Sequence, residues 1–291
     1  MQQRILLTGA TGFIGSHVLQ FLKQCTRCHI ICLGRNENKL KSLGEEYIVY
    51  DLSQKQVDCY QALGQPYLLI HLAWESLDNF RALDHIERNV INNYNFLKNM
   101  ILGGLEHLAV AGTCLEYGLK NGCLSEDLNT DPVVNYGLGK DILRRYIEAL
   151  NRSYSFHFKW LRLFYTYGPG QNDSSLLPRI ARAVLSRSES LDTSGGEQLR
   201  DYLPVGEMAE LLAKVSLQTT YDGIFNICSG RPISIRSFIE KHIKKMDSKL
   251  KLNLGALPYL DYEPMAFWGD VTKLNMAIKA FDNEYRNEKR E

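Results

Sequence analysis

Apolar and polar positions follow two rhythms along the first 165 residues. Short apolar runs at 5–7, 29–33, 67–73, 107–111 and 161–165 are too brief for helices and are bounded by glycine or polar residues, so each is expected to be a buried strand. Between them the spacing widens to three and four, with apolar residues at 14, 18, 21 and 22, then at 86, 90, 91, 94, 97 and 101, and then at 142, 143, 146, 147 and 150. These spacings predict helices over 13–22, over 86–101 with a stop at Gly103-Gly104, and over 136–150. Strands alternating with helices build βαβ units, and the fold class expected is α/β, a doubly wound parallel sheet with helices on both faces. After Gly168-Pro169-Gly170 the rhythm loosens into shorter helical patterns near 176–187, 205–217 and 234–246 and a strand near 223–228. A domain change is therefore expected, with a larger domain over 1–165 and a smaller C-terminal α/β domain over 166–291, the second free to interleave with the first. The charged tail from Asn283 reads as a solvated end.

Composition narrows the classes of function. Among 291 residues, 34 Lys and Arg stand against 33 Asp and Glu, a formal net charge of +1 with the signs interleaved, which excludes the basic face that a nucleic-acid backbone requires. With 45% hydrophobic and 23% charged residues the chain is an ordinary globular protein, and no apolar stretch approaches the roughly 18 residues of a membrane span. Seven cysteines make an odd count, and the first residues run straight into a glycine motif without a secretory pattern, so free thiols in a cytoplasmic setting are expected. Cys25-Thr26-Arg27-Cys28-His29 has the letters of a haem attachment site, but it falls at the join of the first helix and second strand. No second ligand pair follows at zinc spacing, so no metal is expected. His71 lies in a buried-strand pattern and reads as a satisfied core histidine.

Thr8-Gly9-Ala10-Thr11-Gly12-Phe13-Ile14-Gly15 places three glycines on the turn from the first strand to the first helix. There the backbone N–H groups and a helix N-terminus can approach a pyrophosphate closely, and Gly9, Thr11, Gly12, Phe13, Ile14 and Gly15 are assigned to a dinucleotide. At the end of the second strand, where an acidic residue would meet the ribose hydroxyls of NAD, stand Gly34 and Arg35. An arginine with no carboxylate beside it favours a 2′-phosphate, so NADP(H) is preferred and NAD(H) remains open. Asp51 and Leu52 would flank the adenine, and Leu72, Ala73 and Trp74 would line the crevice after the next strand.

Tyr136 and Lys140 are four residues apart at the start of a predicted helix, on one face. A lysine cation beside a phenol lowers its pKa toward the working pH, as a tyrosine acid/base requires. Thr113, at the end of the preceding strand, offers a hydroxyl to the same substrate oxygen.

Thr8 to Gly15, His71-Leu72-Ala73, Thr113 with Tyr117-Gly118, Tyr136 to Lys140, Arg162-Leu163-Phe164 with Tyr167-Gly168-Pro169-Gly170, and Gln198 to Tyr202 together resemble the extended short-chain dehydrogenases/reductases, the NAD-dependent epimerase/dehydratase family, over nearly the whole chain. The resemblance is nearest to nucleotide-sugar 4-keto reductases of the type that makes CDP-abequose or dTDP-fucose. It implies a Rossmann domain, Tyr136 as acid/base, Lys140 on the nicotinamide ribose, Thr113 polarising the substrate oxygen and Asn89 near the cofactor. It also implies a substrate site at Trp74, Cys114, Tyr165, Leu176, Gln198 and Arg200, with Arg200 on the diphosphate, and a homodimer joined through the helices near 86–101 and 136–150.

Four departures shape the expectation. Cys114 and Leu115 stand where the sugar 4,6-dehydratases carry an Asp-Glu pair, and Leu115 where GDP-fucose synthases carry an epimerising cysteine. Tyr165 replaces the asparagine usual before the Tyr-Gly-Pro-Gly loop, and Glu263-Pro264 stands where many relatives have an arginine. The activity expected is NADPH-dependent reduction of the 4-keto group of a nucleotide-diphosphate 4-keto-6-deoxysugar, in surface-polysaccharide synthesis. A 4-epimerase that keeps its cofactor and a non-catalytic dinucleotide sensor are the alternatives.

Overall fold

The computed structural model describes residues 3–25, 28–54 and 58–288. Its first half alternates strictly: β1 (Arg4–Thr8), α1 (Phe13–Cys25), β2 (His29–Gly34), α2 (Glu37–Lys41), β3 (Glu46–Val49), α3 (Cys59–Ala62), β4 (Leu68–His71), α4 (Ile91–Gly103) and β5 (His107–Thr113). A short strand β6 (Gly122–Leu124) precedes α5 (Asn135–Asn151) and β7 (His157–Leu163). Then come β8 (Tyr165–Tyr167), α6 (Leu176–Leu185), β9 (Ser190–Asp192), β10 (Leu199–Pro204), α7 (Val205–Leu217) and β11 (Gly223–Ile227). The chain closes with β12 (Pro232–Ser234), α8 (Ile235–Lys245), β13 (Lys251–Asn253), β14 (Phe267–Gly269) and α9 (Thr272–Glu288).

Seven strands form one sheet in the order β11-β7-β5-β4-β1-β2-β3, every neighbour parallel. Because strand side chains alternate in direction, Ile5 and Leu7 of β1 face one way and Leu6 the other. The first pair joins a core with Val18, Leu22, Met208, Leu212 and Ala277, from α1, α7 and α9. Leu6 joins a second core with Phe96, Leu97, Met100, Leu143 and Ile147, from α4 and α5. The sheet is thus covered on both faces, and β1 has β2 on one side and β4 on the other, the point where the strand order reverses. A crevice opens there beyond the carboxyl ends of the strands.

Beyond residue 166 the chain does not stay in one place. β8, β10 and β12 make a small separate sheet, β9 pairs with β13 and β14 with β6, but β11 returns to the edge of the large sheet and α7 packs on α1. The helix expected over 86–101 begins instead as a π-helical turn over His85–Val90 that runs into α4. The tail from Asn283, expected to be a solvated end, is helical to Glu288, with Asn283 exposed and the Glu284 carboxylate accepting from the Thr219 N–H and the Thr220 hydroxyl; residues 289–291 lie outside the described residues. Of the Cys25–His29 pentapeptide, residues 26 and 27 lie outside the described residues. Cys25, Cys32, Cys114, Cys123 and Cys228 are free thiols, and no cluster of metal-ligating side chains occurs among the described residues. No helix of the described residues is long and apolar enough to cross a membrane.

Candidate active site

The glycine turn is built by close approach. Gly9 takes φ +74°, and its carbonyl accepts from the Gly12 N–H at 2.9 Å. A Cβ on Gly15 would lie 2.0 Å from that same carbonyl oxygen, so only glycine lets α1 start against the turn. Thr8 ties this turn to the next strand: its hydroxyl oxygen accepts from the Leu72 and Ala73 N–H groups at 3.1 and 3.2 Å and donates to His71 Nδ1 at 2.9 Å. His71 Nε2–H then donates to Asn93 Oδ1 at 2.6 Å. The histidine is fully buried, and burial pushes its pKa down to about 3, so it is the neutral, satisfied core residue the sequence indicates.

The cavity at this crevice has a volume of about 390 Å³ and is lined by every residue assigned to the dinucleotide, Arg35, Asp51, Leu52, Asn89, Tyr136 and Lys140 among them. A cradle that any Cβ would fill, at the strand-order reversal, fits a dinucleotide. One premise fails: Arg35 does have a carboxylate beside it. Its Nη1 is 2.5 Å from Glu75 Oε1, on the loop after β4, and Glu75 lines the same cavity.

Tyr136 and Lys140 occupy successive turns of α5, yet they do not meet as expected. Lys140 Nζ donates to the Ala111 carbonyl at 2.7 Å and sits 3.9 Å from the centre of the Trp74 ring. It is buried, and burial pushes its pKa down to about 7, against the opposing pull of Glu116. Tyr136 is half-buried, with its hydroxyl end enclosed, and burial first, then the neighbouring Cys114 and Glu116, raise its pKa above the ordinary value, while a hydrogen bond with the Thr113 side chain lowers it. The tyrosine is therefore a protonated phenol, not one acidified by lysine. Its ring stacks on Phe80 at 5.0 Å and touches His85 at 5.3 Å. His85 accepts from the Trp74 indole N–H at 2.9 Å and donates through Nε2 to the Asn79 carbonyl at 3.0 Å.

A second cavity of about 480 Å³ lies on the C-terminal side, with Phe80, Tyr165, Leu176, Gln198, Arg200 and Glu263 in its wall. Four buried side-chain polar atoms have no hydrogen-bond partner among the described residues: Gln171 Oε1, Thr193 Oγ1, Gln198 Nε2 and Arg200 Nε. All four residues line this cavity. Unsatisfied buried polar atoms are costly, and their gathering at one place fits a polar ligand. Arg200 is otherwise committed: Nη2 donates to Glu263 Oε2 at 2.8 Å and Nη1 to the Leu199 carbonyl at 2.8 Å. The Tyr165 hydroxyl donates to the other Glu263 oxygen at 2.6 Å.

Two expected substrate residues do not line this second cavity. Trp74 lines the first, beside Lys140, in the crevice where its place after β4 also puts it. Cys114 lines neither, because the short turn over Cys114–Tyr117 directs it into an apolar cluster with Tyr117, Phe164 and Phe267, where burial raises its thiol pKa and keeps it inert.

The model of the NAD dependent epimerase/dehydratase family matches residues 5–228. The chain belongs to this family. It is 31% identical over 271 residues to dTDP-6-deoxy-L-talose 4-dehydrogenase (NAD(+)) of Aggregatibacter actinomycetemcomitans, covering 91% of this chain and 98% of that one. Among solved structures it resembles the UDP-N-acetylglucosamine 4-epimerase of Methanobrevibacter ruminantium M1 in complex with UDP-N-acetylmuramic acid (TM-score 0.84, 22% identity, 98% of this chain and 97% of that one). It also resembles the UDP-glucuronic acid 4-epimerase of Bacillus cereus in complex with UDP-glucuronic acid and NAD (TM-score 0.81, 22% identity, 99% of each chain).

For an epimerase/dehydratase family member, sequence reading missed the groups that come from afar. Glu75 follows an expected crevice turn, and its place in the loop after β4 was the available signal. Glu263 stands out in the sequence as a departure from the arginine of many relatives, but its pairing with Arg200 does not, and Thr193 sits in a loop without periodicity that nothing in the sequence joins to Gln198.

Proposed function

We propose that the chain is a C4 oxidoreductase of nucleotide-diphosphate 6-deoxysugars, reducing the 4-keto group. One observation carries this reading: Tyr136, its side chain bonded to Thr113, lines the first cavity, and its ring stacks at 5.0 Å on Phe80, which lines the second, so the proton donor bridges the walls of the two cavities. The sugar class is supported by similarity to the talose 4-dehydrogenase. A bound nicotinamide dinucleotide supplies the hydride that reaches the sugar carbon. The protonated Tyr136 gives its proton to the carbonyl oxygen as negative charge develops there, and Thr113 holds that oxygen in line. The reverse oxidation needs the phenolate, so the raised Tyr136 pKa favours reduction at neutral pH and moves oxidation to alkaline pH. Elimination lacks support, since Glu116 is spent on the Thr113 N–H at 2.8 Å, the Trp160 indole at 2.9 Å and Arg162 at 2.8 Å.

Glu75 beside Arg35 turns the dinucleotide from NADP toward NAD, which the names of the talose enzyme and the Bacillus cereus complex also carry. Free cysteines support a reducing, cytoplasmic setting. Exposed Ile91 and Leu102 on α4 and Tyr146 on α5 support a homodimer through these helices.

The test is to titrate the purified protein with reduced dinucleotide, then offer a panel of nucleotide-linked 4-keto-6-deoxysugars while following the reduced-nicotinamide absorbance. Consumption that depends on one keto sugar is expected, and Tyr136→Phe should lower kcat by about 10²–10⁴ with dinucleotide affinity unchanged. Interconversion of C4 epimers without net consumption, with dinucleotide co-purifying one to one, replaces the reductase by a 4-epimerase. Binding without turnover of any nucleotide sugar leaves a dinucleotide sensor.

A further inference from the structure

Resting on the dinucleotide reading of the first cavity, we propose that Glu75 decides which dinucleotide the chain accepts. From the loop after β4 it occupies Arg35 and presents a carboxylate to the adenosine ribose hydroxyls, selecting NAD(H) over the 2′-phosphorylated form. The end of β2, the usual source of such a carboxylate, has none: Gly34 is followed by Arg35. Glu75 supplies one from across the crevice, with Oε1 at 2.5 Å from Arg35 Nη1 and Oε2 at 3.6 Å from Arg88 Nη2.

Glu75 is held in place through its backbone. Its N–H donates to Asn89 Oδ1 at 3.1 Å, and Asn89 Nδ2 donates back to its carbonyl at 3.3 Å. Asn89 is buried on the π-helical turn, so a buried amide fixes the loop while the carboxylate stays on the cavity wall.

Charge at this corner already leans negative, with Arg35 and Arg88 facing the carboxylates of Glu75, Asp84 and Asp51. Arg88 is shared with Asp84 at 3.6 Å, and Asp51 lines the cavity beside Arg35. A phosphate dianion must draw Arg35 away from Glu75, and it then faces the released carboxylate at close range. A ribose diol donates to Glu75 and leaves the pair intact. The side chains of Arg35 and Glu75 are 58% and 38% exposed, so the pair adds little to stability and acts on the choice of ligand.

The experiment measures dissociation constants of NADH and NADPH by nicotinamide fluorescence and calorimetry, on the full chain and on Glu75→Gln. The wild type should bind NADH at least tenfold more tightly than NADPH. Glu75→Gln should weaken NADH, strengthen NADPH and bring the ratio to one or below, and the double variant Glu75→Gln/Arg35→Ala should lose the NADPH gain. A wild type that prefers NADPH, or a ratio unmoved in Glu75→Gln, overturns the proposal while the dinucleotide site stands. A wild type that binds neither overturns the site reading itself, and the proposal with it.

Discussion

His71 shows how much one proton governs at the strand-order reversal. It accepts from Thr8, donates to Asn93, and Asn93 donates to the Asn89 carbonyl at 2.7 Å, so the imidazole links β1 and β4 to the turn that anchors Glu75. That linkage needs a neutral ring. Burial holds its pKa at about 3, against about 6.5 in an unfolded chain, so the unfolded chain binds a proton that the folded protein refuses between those values. The stability this residue contributes is therefore complete above pH 6.5 and is lost as pH falls toward 3, by on the order of a few kcal/mol in all. His71→Gln should be less stable than wild type at pH 7 by about 1–3 kcal/mol, because it leaves buried partners unsatisfied. It should lose less than wild type does between pH 7 and pH 4. Urea unfolding across that range decides the point, and parallel pH slopes for the two proteins would sink it.

At the scale of elements, what was legible is what a single element carries within itself. The strands β1, β2, β4, β5 and β7 and the helices α1, α4 and α5 write their periods into consecutive residues, and the glycine turn writes its backbone demand into Gly9 and Gly15. The π-helical turn over His85–Val90 escaped because apolar spacing at 86, 90 and 91 reads the same whether the bonds span four residues or five. Helix α9 escaped because its buried Leu274, Ala277 and Phe281 are diluted by charged neighbours. The turn itself gives a sharp test. In Gly15→Ala the new Cβ meets the Gly9 carbonyl oxygen at 2.0 Å, and since that atom is backbone, α1 must shift off the turn. Gly12→Ala brings a Cβ only to 3.2 Å from the same atom and is the milder control. Gly15→Ala should cost about 1–3 kcal/mol in thermal or urea unfolding, as overpacking does. Dinucleotide affinity measured by fluorescence should fall at least tenfold, and by less in Gly12→Ala. Equal affinities in the two variants would show that the cradle is not set by this contact.

Across the whole molecule the site depends on pairs that no local pattern records. Arg200 and Glu263 are 63 residues apart, and both they and Tyr165 reach the second cavity only because β8 and β10 leave the large sheet together before β11 returns to it. The family resemblance implies Arg200 on a diphosphate, whereas the chain has already supplied it with an internal anion, Glu263. The guanidinium is 1% exposed and keeps only Nε without a partner. A diphosphate entering this cavity must therefore share or replace Glu263. In Glu263→Gln the amide oxygen can still accept from Arg200, but the buried cation loses its counter-charge, a change that should cost up to about 3–5 kcal/mol in the ligand-free protein. A diphosphate returns that charge, so the rise in melting temperature on adding nucleotide sugar should be larger in Glu263→Gln than in wild type. The KM should fall while kcat holds, because binding is altered and Tyr136 is not. If Arg200 never meets the diphosphate, the variant melts lower by the same amount with and without nucleotide sugar, and the KM does not improve.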